Sequence, residues 1–217
     1  MNIDLTSPKS VIEALVPKPI QRFVEDSGTK IVELQPGQKF RDVIAGLRSA
    51  IKERGQLDPD NPFLDNKVGG MYDPFDNQVV LKIKAPVPII HEYGHALDAA
   101  LARVQKRPVP HDFFDPNPPF KYLPFWTYEN PKIDFMMEGV ARGLWKPITD
   151  YMMSSVSDFF AECFAAYCNA GDYELPTSEW KENYRHANRS DLEKRLYPMY
   201  TLMEALAKDP SRLTATA

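Results

Sequence analysis

A stretch with helical periodicity contains two histidines, His91 and His95, that are four residues apart. Pro86 lies at the start of this stretch and Pro108 just beyond its end, so the pattern predicts a helix from about Pro86 to Lys106. Side chains four residues apart lie on one face of a helix, one turn apart. Two imidazoles at this spacing can each place a nitrogen about 2 Å from one metal ion. The sequence therefore predicts a helix that carries two metal ligands.

The residue after the first histidine, Glu92, lies beside the histidine face of the predicted helix. From that flank its carboxylate can accept a proton from a water molecule without ligating the metal. Two histidine ligands and a general base in this order are typical of zinc peptidases. A chance occurrence is expected in fewer than about one in a hundred chains with so few histidines. Coincidence, and a zinc-binding fold that has lost its activity, are the weaker alternatives.

A third protein ligand is expected from a later helix. Asp158 and Glu162 are four residues apart in a segment with helical periodicity, so both carboxylates point from one face. Either one can bind the metal while the other accepts a hydrogen bond from a ligating imidazole. Asp98 is a further candidate for such support, although a solvated charge is an equal alternative for it. Ser155 precedes Asp158 by three residues, which leaves open that Asp158 only caps its helix.

Two segments carry a resemblance to a known family, and they run from His91 to Asp98 and from Asp158 to Glu162. They resemble the catalytic domain of anthrax lethal factor and the related Pro-Pro endopeptidases, over about residues 65–170. The resemblance implies that Asp158 is the third zinc ligand and that Glu162 supports a zinc-binding histidine. It also implies a zincin-like fold and peptide-bond hydrolysis.

Tyr151 lies seven residues before Asp158, at the position of a family tyrosine that stabilises the oxyanion. The resemblance implies that role here, with an ordinary packed or surface tyrosine as the alternative. The family has glutamate where this chain has Asp158, which is one methylene shorter. The helix of Asp158 must therefore approach the histidine helix more closely, or Glu162 must take over as ligand. The proline-rich segment 108–131 lengthens the connection, which indicates an inserted loop.

The predicted fold class is α+β, with residues 1–217 forming a single zincin-like domain. It consists of a small mixed sheet, the active-site helix and a following helical part. Its portions are an N-terminal part over about 1–60, a catalytic core over 65–170 and C-terminal helices over 171–217.

The predicted strands cover 30–34, 68–72 and 78–83, and the last two form a hairpin. The other predicted helices are a short one after Ser7 that Pro17 ends, and helices over 39–53, 132–145, 155–170 and 190–208. In the last of these, Ser190 and Glu193 suggest a capping box and Pro198 predicts a kink.

Charge and hydropathy exclude several classes of partner. The net charge of −4 without a basic stripe argues against nucleic acid and against an anionic membrane surface. No run of apolar residues is long enough to span a membrane, and the first residues lack the features of a Sec signal peptide. Cys163 and Cys168 are poorly spaced for a disulfide, and His111 and His186 are expected in loops. We therefore expect a monomer without a membrane or nucleic-acid partner.

These observations predict a zinc-dependent endopeptidase that acts on a protein or peptide substrate. The resemblance implies a bacterial effector or toxin protease that either remains in the cytoplasm of the producer or is secreted by a dedicated system into a target cell. The alternatives are an intracellular regulatory zinc peptidase that cuts a repressor and an inactive zincin-fold binding module. An extended substrate is expected to add to an edge strand, either 79–83 or 68–72. The segment 108–131 either rims the cleft or forms a stiff surface loop.

Overall fold

The chain folds into mixed α+β structure, which confirms the predicted class at this level. The computed structural model describes residues 7–44, 68–82, 84–108, 122–173 and 187–213. Within these ranges the strands are β1 (Lys30–Glu33), β2 (Gly70–Asp73) and β3 (Gln78–Leu81). The helices are α1 (Pro8–Leu15), α2 (Lys18–Asp26), α3 (Phe40–Val43), α4 (Pro86–Gln105), α5 (Pro131–Ala141), α6 (Val156–Tyr167), α7 (Arg189–Arg195) and α8 (Tyr197–Lys208). Short 3-10 turns cover Tyr151–Met153, Ala170–Asp172 and Pro210–Leu213.

The three strands form one mixed sheet in the order β1-β3-β2. β1 runs parallel to β3, with Ile31 opposite Val79, and β2 runs antiparallel to β3, with Met71 opposite Val80. The predicted hairpin is therefore confirmed. Of the two strands expected to offer an edge to an extended substrate, the one over 79–83 was wrong. It corresponds to β3, which lies in the centre of the sheet and pairs on both sides. Among the described strands, only β1 and β2 have an edge that an extended peptide can join.

Helix α4 lies at the centre of the structure and packs against both β2 and α6. Pro86 in the first turn supplies a backbone angle suited to a helix start, and Lys106 ends the helix in the left-handed conformation. Most of the residues of α4 are buried, because the sheet covers one side and α6 covers another. On α6 the aromatic rings of Phe159, Phe160 and Phe164 are fully buried. Burial of each such side chain stabilises the fold by roughly 1.5–3 kcal/mol. The contact between α4 and α6 therefore holds the residues on their facing surfaces in fixed positions.

Several predicted elements differ in detail from the structure. The segment 190–208 is two helices rather than one kinked helix, because Leu196 leaves the helical conformation and Pro198 lies in the first turn of α8. The capping box of α7 is formed by Asn188 and Asp191, two residues earlier than the predicted pair Ser190 and Glu193. Pro17 ends α1 as predicted, but it also precedes α2, which the periodicity did not indicate.

Other sequence predictions fall wholly or partly outside the described residues. Of the predicted helix 39–53, residues 40–43 are described as α3 and those beyond 44 are not described. Residues 109–121 of the proline-rich segment, with His111, also lie outside, as does His186. Residues 123–130 form turns in which Trp126 is buried. Cys163 and Cys168 are both buried and unbonded, and no described helix is long and apolar enough to cross a membrane.

Candidate metal centre

The facing surfaces of α4 and α6 bring together one atom from each of His91, His95 and Asp158. The two histidine Nε2 atoms lie 3.1 Å apart. Oδ1 of Asp158 lies 3.6 Å from Nε2 of His91 and 3.5 Å from Nε2 of His95. The histidines are brought together by their spacing on one helix, whereas Asp158 reaches them from another helix. These three residues are the group that could hold a metal ion within the described part of the chain.

The dimensions of this triangle of atoms match a zinc site. The point equidistant from the three atoms lies about 2.0 Å from each of them, and Zn–N and Zn–O bonds are about 2.0–2.2 Å long. Two imidazoles and one carboxylate are also a donor set that zinc accepts, and three protein ligands are typical of catalytic rather than structural zinc. The residues therefore fit the ion that the sequence predicts, without excluding other divalent metals of similar preference.

The two oxygens of Asp158 have separate tasks. Oδ1 faces the histidines, while Oδ2 accepts a hydrogen bond of 2.7 Å from the hydroxyl of Ser155. The same hydroxyl accepts a hydrogen bond of 3.0 Å from the backbone N–H of Asp158, so Ser155 is the N-cap of α6. The start of α6 is thus capped by Ser155, while Oδ1 of Asp158 still faces the histidines. Ser155 does the capping, and it also fixes the rotamer of Asp158.

The second ring nitrogen of each histidine faces a polar group on α6. Nδ1 of His91 lies 2.8 Å from Oε1 of Glu162, and Nδ1 of His95 lies 2.8 Å from Oγ of Ser157. The other oxygen of Glu162 accepts a hydrogen bond of 2.7 Å from the hydroxyl of Thr149. In metal sites a ligating histidine almost always donates its other N–H to such a partner. The structure places Glu162 beside a histidine nitrogen and Asp158 in the triangle.

Asp98 is completely buried, and it contacts the same Ser157 hydroxyl that faces His95. Its carboxylate accepts hydrogen bonds from the backbone N–H of Thr127 at 2.9 Å, the hydroxyl of Thr127 at 2.7 Å and the hydroxyl of Ser157 at 3.2 Å. Asp98 is therefore not a solvated helix charge. It supports His95 through Ser157 rather than by direct contact.

Glu92 is buried on the side of α4 that faces β2. A Cβ atom added at Gly70 would lie 2.6 Å from Cγ of Glu92, so the missing side chain of Gly70 makes the room that Glu92 occupies. Tyr151 lies on the other side, in a 3-10 turn, with its ring centroid 5.7 Å from that of His91. It is 40% exposed, which leaves its ring accessible to a ligand. Tyr151 therefore lies near one ring of the triangle, and Glu92 directly follows His91 on the helix that carries both histidines.

Ionisation in the metal-free protein follows from burial and these contacts. Burial lowers the pKa of His91, but hydrogen bonds to Asp158 and Glu162 outweigh it and raise the pKa to about 10. Burial raises the pKa of Asp158, yet hydrogen bonds from both histidines and Ser155 bring it well below its usual range. Burial raises the pKa of Asp98 to about 6 against the opposing hydrogen bonds from Thr127. These contacts therefore favour the charged form of the His91 imidazole and the ionised form of Asp158.

Sequence reasoning did not identify Ser157, Thr149, Thr127 or Gly70 as parts of this centre. Ser157 is adjacent to a proposed ligand, and that proximity is a weak signal that can be read from the sequence. The other three lie in loops or in a strand, and their distance from the centre depends on the tertiary structure. No protein-family model matches the chain, and no curated protein matches it. The resemblance to lethal factor and the Pro-Pro endopeptidases thus rests on the two motif segments.

Proposed function

We propose that this chain is a zinc-dependent endopeptidase. The observation that carries the proposal is the convergence of His91, His95 and Asp158 at distances suited to zinc, on a helix where Glu92 directly follows His91. Three ligands together with an adjacent carboxylate that is not a ligand are the composition of a hydrolytic site rather than a structural one. The contacts of Glu162 and Ser157 to the second ring nitrogens support the same reading.

A zinc ion in this site would supply Lewis acidity, which polarises a peptide carbonyl and acidifies water. Glu92 is proposed to remove a proton from the attacking water and then to deliver it to the leaving amine. The hydroxyl of Tyr151 is proposed to donate a hydrogen bond to the oxyanion that develops on the carbonyl. Ser155 keeps Asp158 turned towards the histidines throughout, because it holds the opposite carboxylate oxygen.

The substrate is proposed to bind as an extended peptide along β2. This strand pairs with β3 on one side, and within the described residues its other edge has no strand partner. Gly70 in β2 lies directly against Glu92, so a peptide along this edge passes close to the proposed base. Backbone hydrogen bonds to a sheet edge select for extended conformation rather than for sequence.

Metal content tests the site. Purified wild-type protein should contain about one zinc per chain, and Asp158→Ala should lose it, because two histidines alone bind weakly. Glu162→Ala should keep zinc with an affinity lower by about 10- to 100-fold, as expected for the partner of a ligand. Asp134→Ala is the matched control, because Asp134 is exposed on α5. Zinc lost only in Glu162→Ala would reassign the ligand, and no tightly bound metal in the wild type would refute the proposal.

Activity tests the role of Glu92. Glu92→Gln keeps the shape of the side chain but cannot accept a proton, so peptide cleavage should fall by about 10²-fold or more at unchanged zinc content. Glu138→Gln, on an exposed part of α5, should leave cleavage unchanged. Full cleavage by the Glu92→Gln protein would rule out the mechanism. Zinc binding without any cleavage of varied peptides would favour an inactive binding module.

The narrower biological assignment is also a proposal. Resemblance to lethal factor and the Pro-Pro endopeptidases favours an effector or toxin protease with chosen protein targets over a regulatory peptidase that cuts a repressor in its own cell. Locating the protein during infection or competition distinguishes these two. Retention in the cytoplasm of the producer, together with cleavage of a repressor there, would favour the regulatory peptidase.

A further inference from the structure

The dipeptide Ser157–Asp158 contacts both nitrogens of one imidazole. Asp158 faces Nε2 of His95 at 3.5 Å, and Ser157 lies 2.8 Å from Nδ1 of the same ring. Consecutive helical residues point about 100° apart, so two neighbours can reach opposite sides of a ring only if that ring lies between them. The start of α6 therefore holds His95 from two directions.

The hydroxyl of Ser157 has one proton, and its buried surroundings decide where that proton goes. Ser157 is 4% exposed, so water does not readily substitute for its partners. Asp98 already accepts two hydrogen bonds from Thr127, which is the behaviour of a carboxylate rather than of a donor. The Ser157 proton therefore goes to Asp98, at an Oγ–Oδ2 distance of 3.2 Å. Only the lone pairs of Ser157 remain to face His95.

We propose that Ser157 is a positioning residue that fixes the tautomer of His95, by accepting a hydrogen bond from its Nδ1–H and donating its own proton to Asp98. Nδ1 then carries the proton of the neutral ring, and the lone pair of Nε2 is directed at the point shared with His91 and Asp158. The opposite tautomer would place a hydrogen at that point and prevent ligation. The consequence for metal binding rests on the proposed function, whereas the tautomer itself does not.

The partner of His91 differs, which makes the role of Ser157 specific to one histidine. Nδ1 of His91 faces a carboxylate, Glu162, which accepts hydrogen bonds and cannot donate when ionised. Whenever the His91 ring is neutral, such a carboxylate fixes its tautomer by itself. A hydroxyl can either donate or accept, so Ser157 fixes the tautomer of His95 only because Asp98 takes its proton. Removal of either Ser157 or Asp98 should therefore affect His95 and spare His91.

Nitrogen-15 NMR of the histidine rings in the metal-free protein tests this directly. The chain has four histidines, so the ring signals can be assigned with one variant each. In its neutral form, the wild-type His95 ring should carry its proton on Nδ1. Ser157→Ala should shift the proton towards Nε2, and Ser157→Thr, which keeps the hydroxyl, should restore the wild-type pattern. Ser190→Ala, an exposed serine on α7, is the control.

Asp98→Asn provides a second variant if Ser157→Ala does not fold. An amide N–H at residue 98 can donate to Ser157, which then turns its proton towards Nδ1 of His95 and favours the Nε2–H form. Zinc affinity, measured by competition with a chelator, should fall by about 10- to 100-fold in Ser157→Ala and in Asp98→Asn. An unchanged tautomer ratio in either folded variant would overturn the proposal for Ser157. If the wild-type protein shows the expected tautomer but binds no zinc, the proposed peptidase function is refuted, and the role of Ser157 is not.

Discussion

Gly94 on α4 and Ala161 on α6 are in contact almost backbone to backbone. A Cβ atom added at Gly94 would lie 3.0 Å from Cα of Ala161 and 3.2 Å from Cδ1 of Phe164. Gly94 precedes His95, and Ala161 lies three residues after Asp158, so this contact determines how near the two helices come at the candidate centre. Because an aspartate is one methylene shorter than a glutamate, Asp158 as the proposed ligand needs the two helices to lie close together. The glycine at residue 94 permits that approach.

We expect Gly94→Ala to push α4 and α6 apart. Overpacking costs about 1–3 kcal/mol, and alanine regains about 1 kcal/mol of helix propensity, so stability should fall by about 1 kcal/mol. Zinc affinity should fall by about 10-fold, because Asp158 moves away from both histidines. Denaturant unfolding and chelator competition measure the two effects. Val104→Ala, an exposed change on the same helix, should alter neither. Wild-type affinity in Gly94→Ala would contradict this account.

We expect Gly70→Ala to displace Glu92 without removing the metal. The added Cβ would overlap Cγ of Glu92, so that side chain must leave its position. Peptide cleavage should fall by about 10-fold or more through kcat while zinc content stays at the wild-type level. Met71→Ala is a suitable control because the side chain of Met71 points to the opposite face of β2. Equal losses in the two variants would indicate damage to the strand rather than to the base.

We expect Asp98 to make the stability of the metal-free protein depend on pH. Burial raises its pKa from 3.8 to about 6, so the folded protein binds a proton more tightly than the unfolded chain. That contribution is fully present below pH 4 and is lost as the pH rises through about 6. The stability of wild type relative to Asp98→Asn should therefore fall by about 2 kcal/mol between pH 4 and pH 7. Urea unfolding of both proteins measures the difference, and a difference independent of pH would be inconsistent with the buried carboxyl.

We expect zinc binding to release a proton from His91. The pKa of this imidazole is about 10 in the metal-free protein, so it is charged at neutral pH and must lose its Nε2 proton to become a ligand. Apparent zinc affinity should rise by up to about 10-fold per pH unit over the range from 6.5 to 10. Calorimetry in buffers with different ionisation enthalpies counts the protons. Binding heats that do not depend on the buffer would show that His91 is already neutral.

The local parts of the site are determined by spacing along the chain. His91, Glu92 and His95 belong to one helix, whose position and length followed from its periodicity and from the prolines at its ends. The pair Asp158 and Glu162 followed from the same argument on α6. The hairpin of β2 and β3 is also local, since a short turn between two apolar runs specifies antiparallel pairing. In each case the interacting residues are close in sequence, so few arrangements compete.

The sequence by itself determined which helix faces carry imidazoles and carboxylates, because helical geometry fixes the direction of side chains three and four residues apart. Only the tertiary structure decided which oxygen of α6 meets which nitrogen of α4. That pairing depends on the contact of Gly94 with Ala161, which sets the depth at which the helices pack. The tertiary structure also decided that β3 lies in the middle of the sheet. It decided, too, that Thr127, Thr149 and Gly70 lie near the candidate metal centre, since their distances from it depend on many weak packing contacts. Contacts of that kind have no fixed spacing in the sequence.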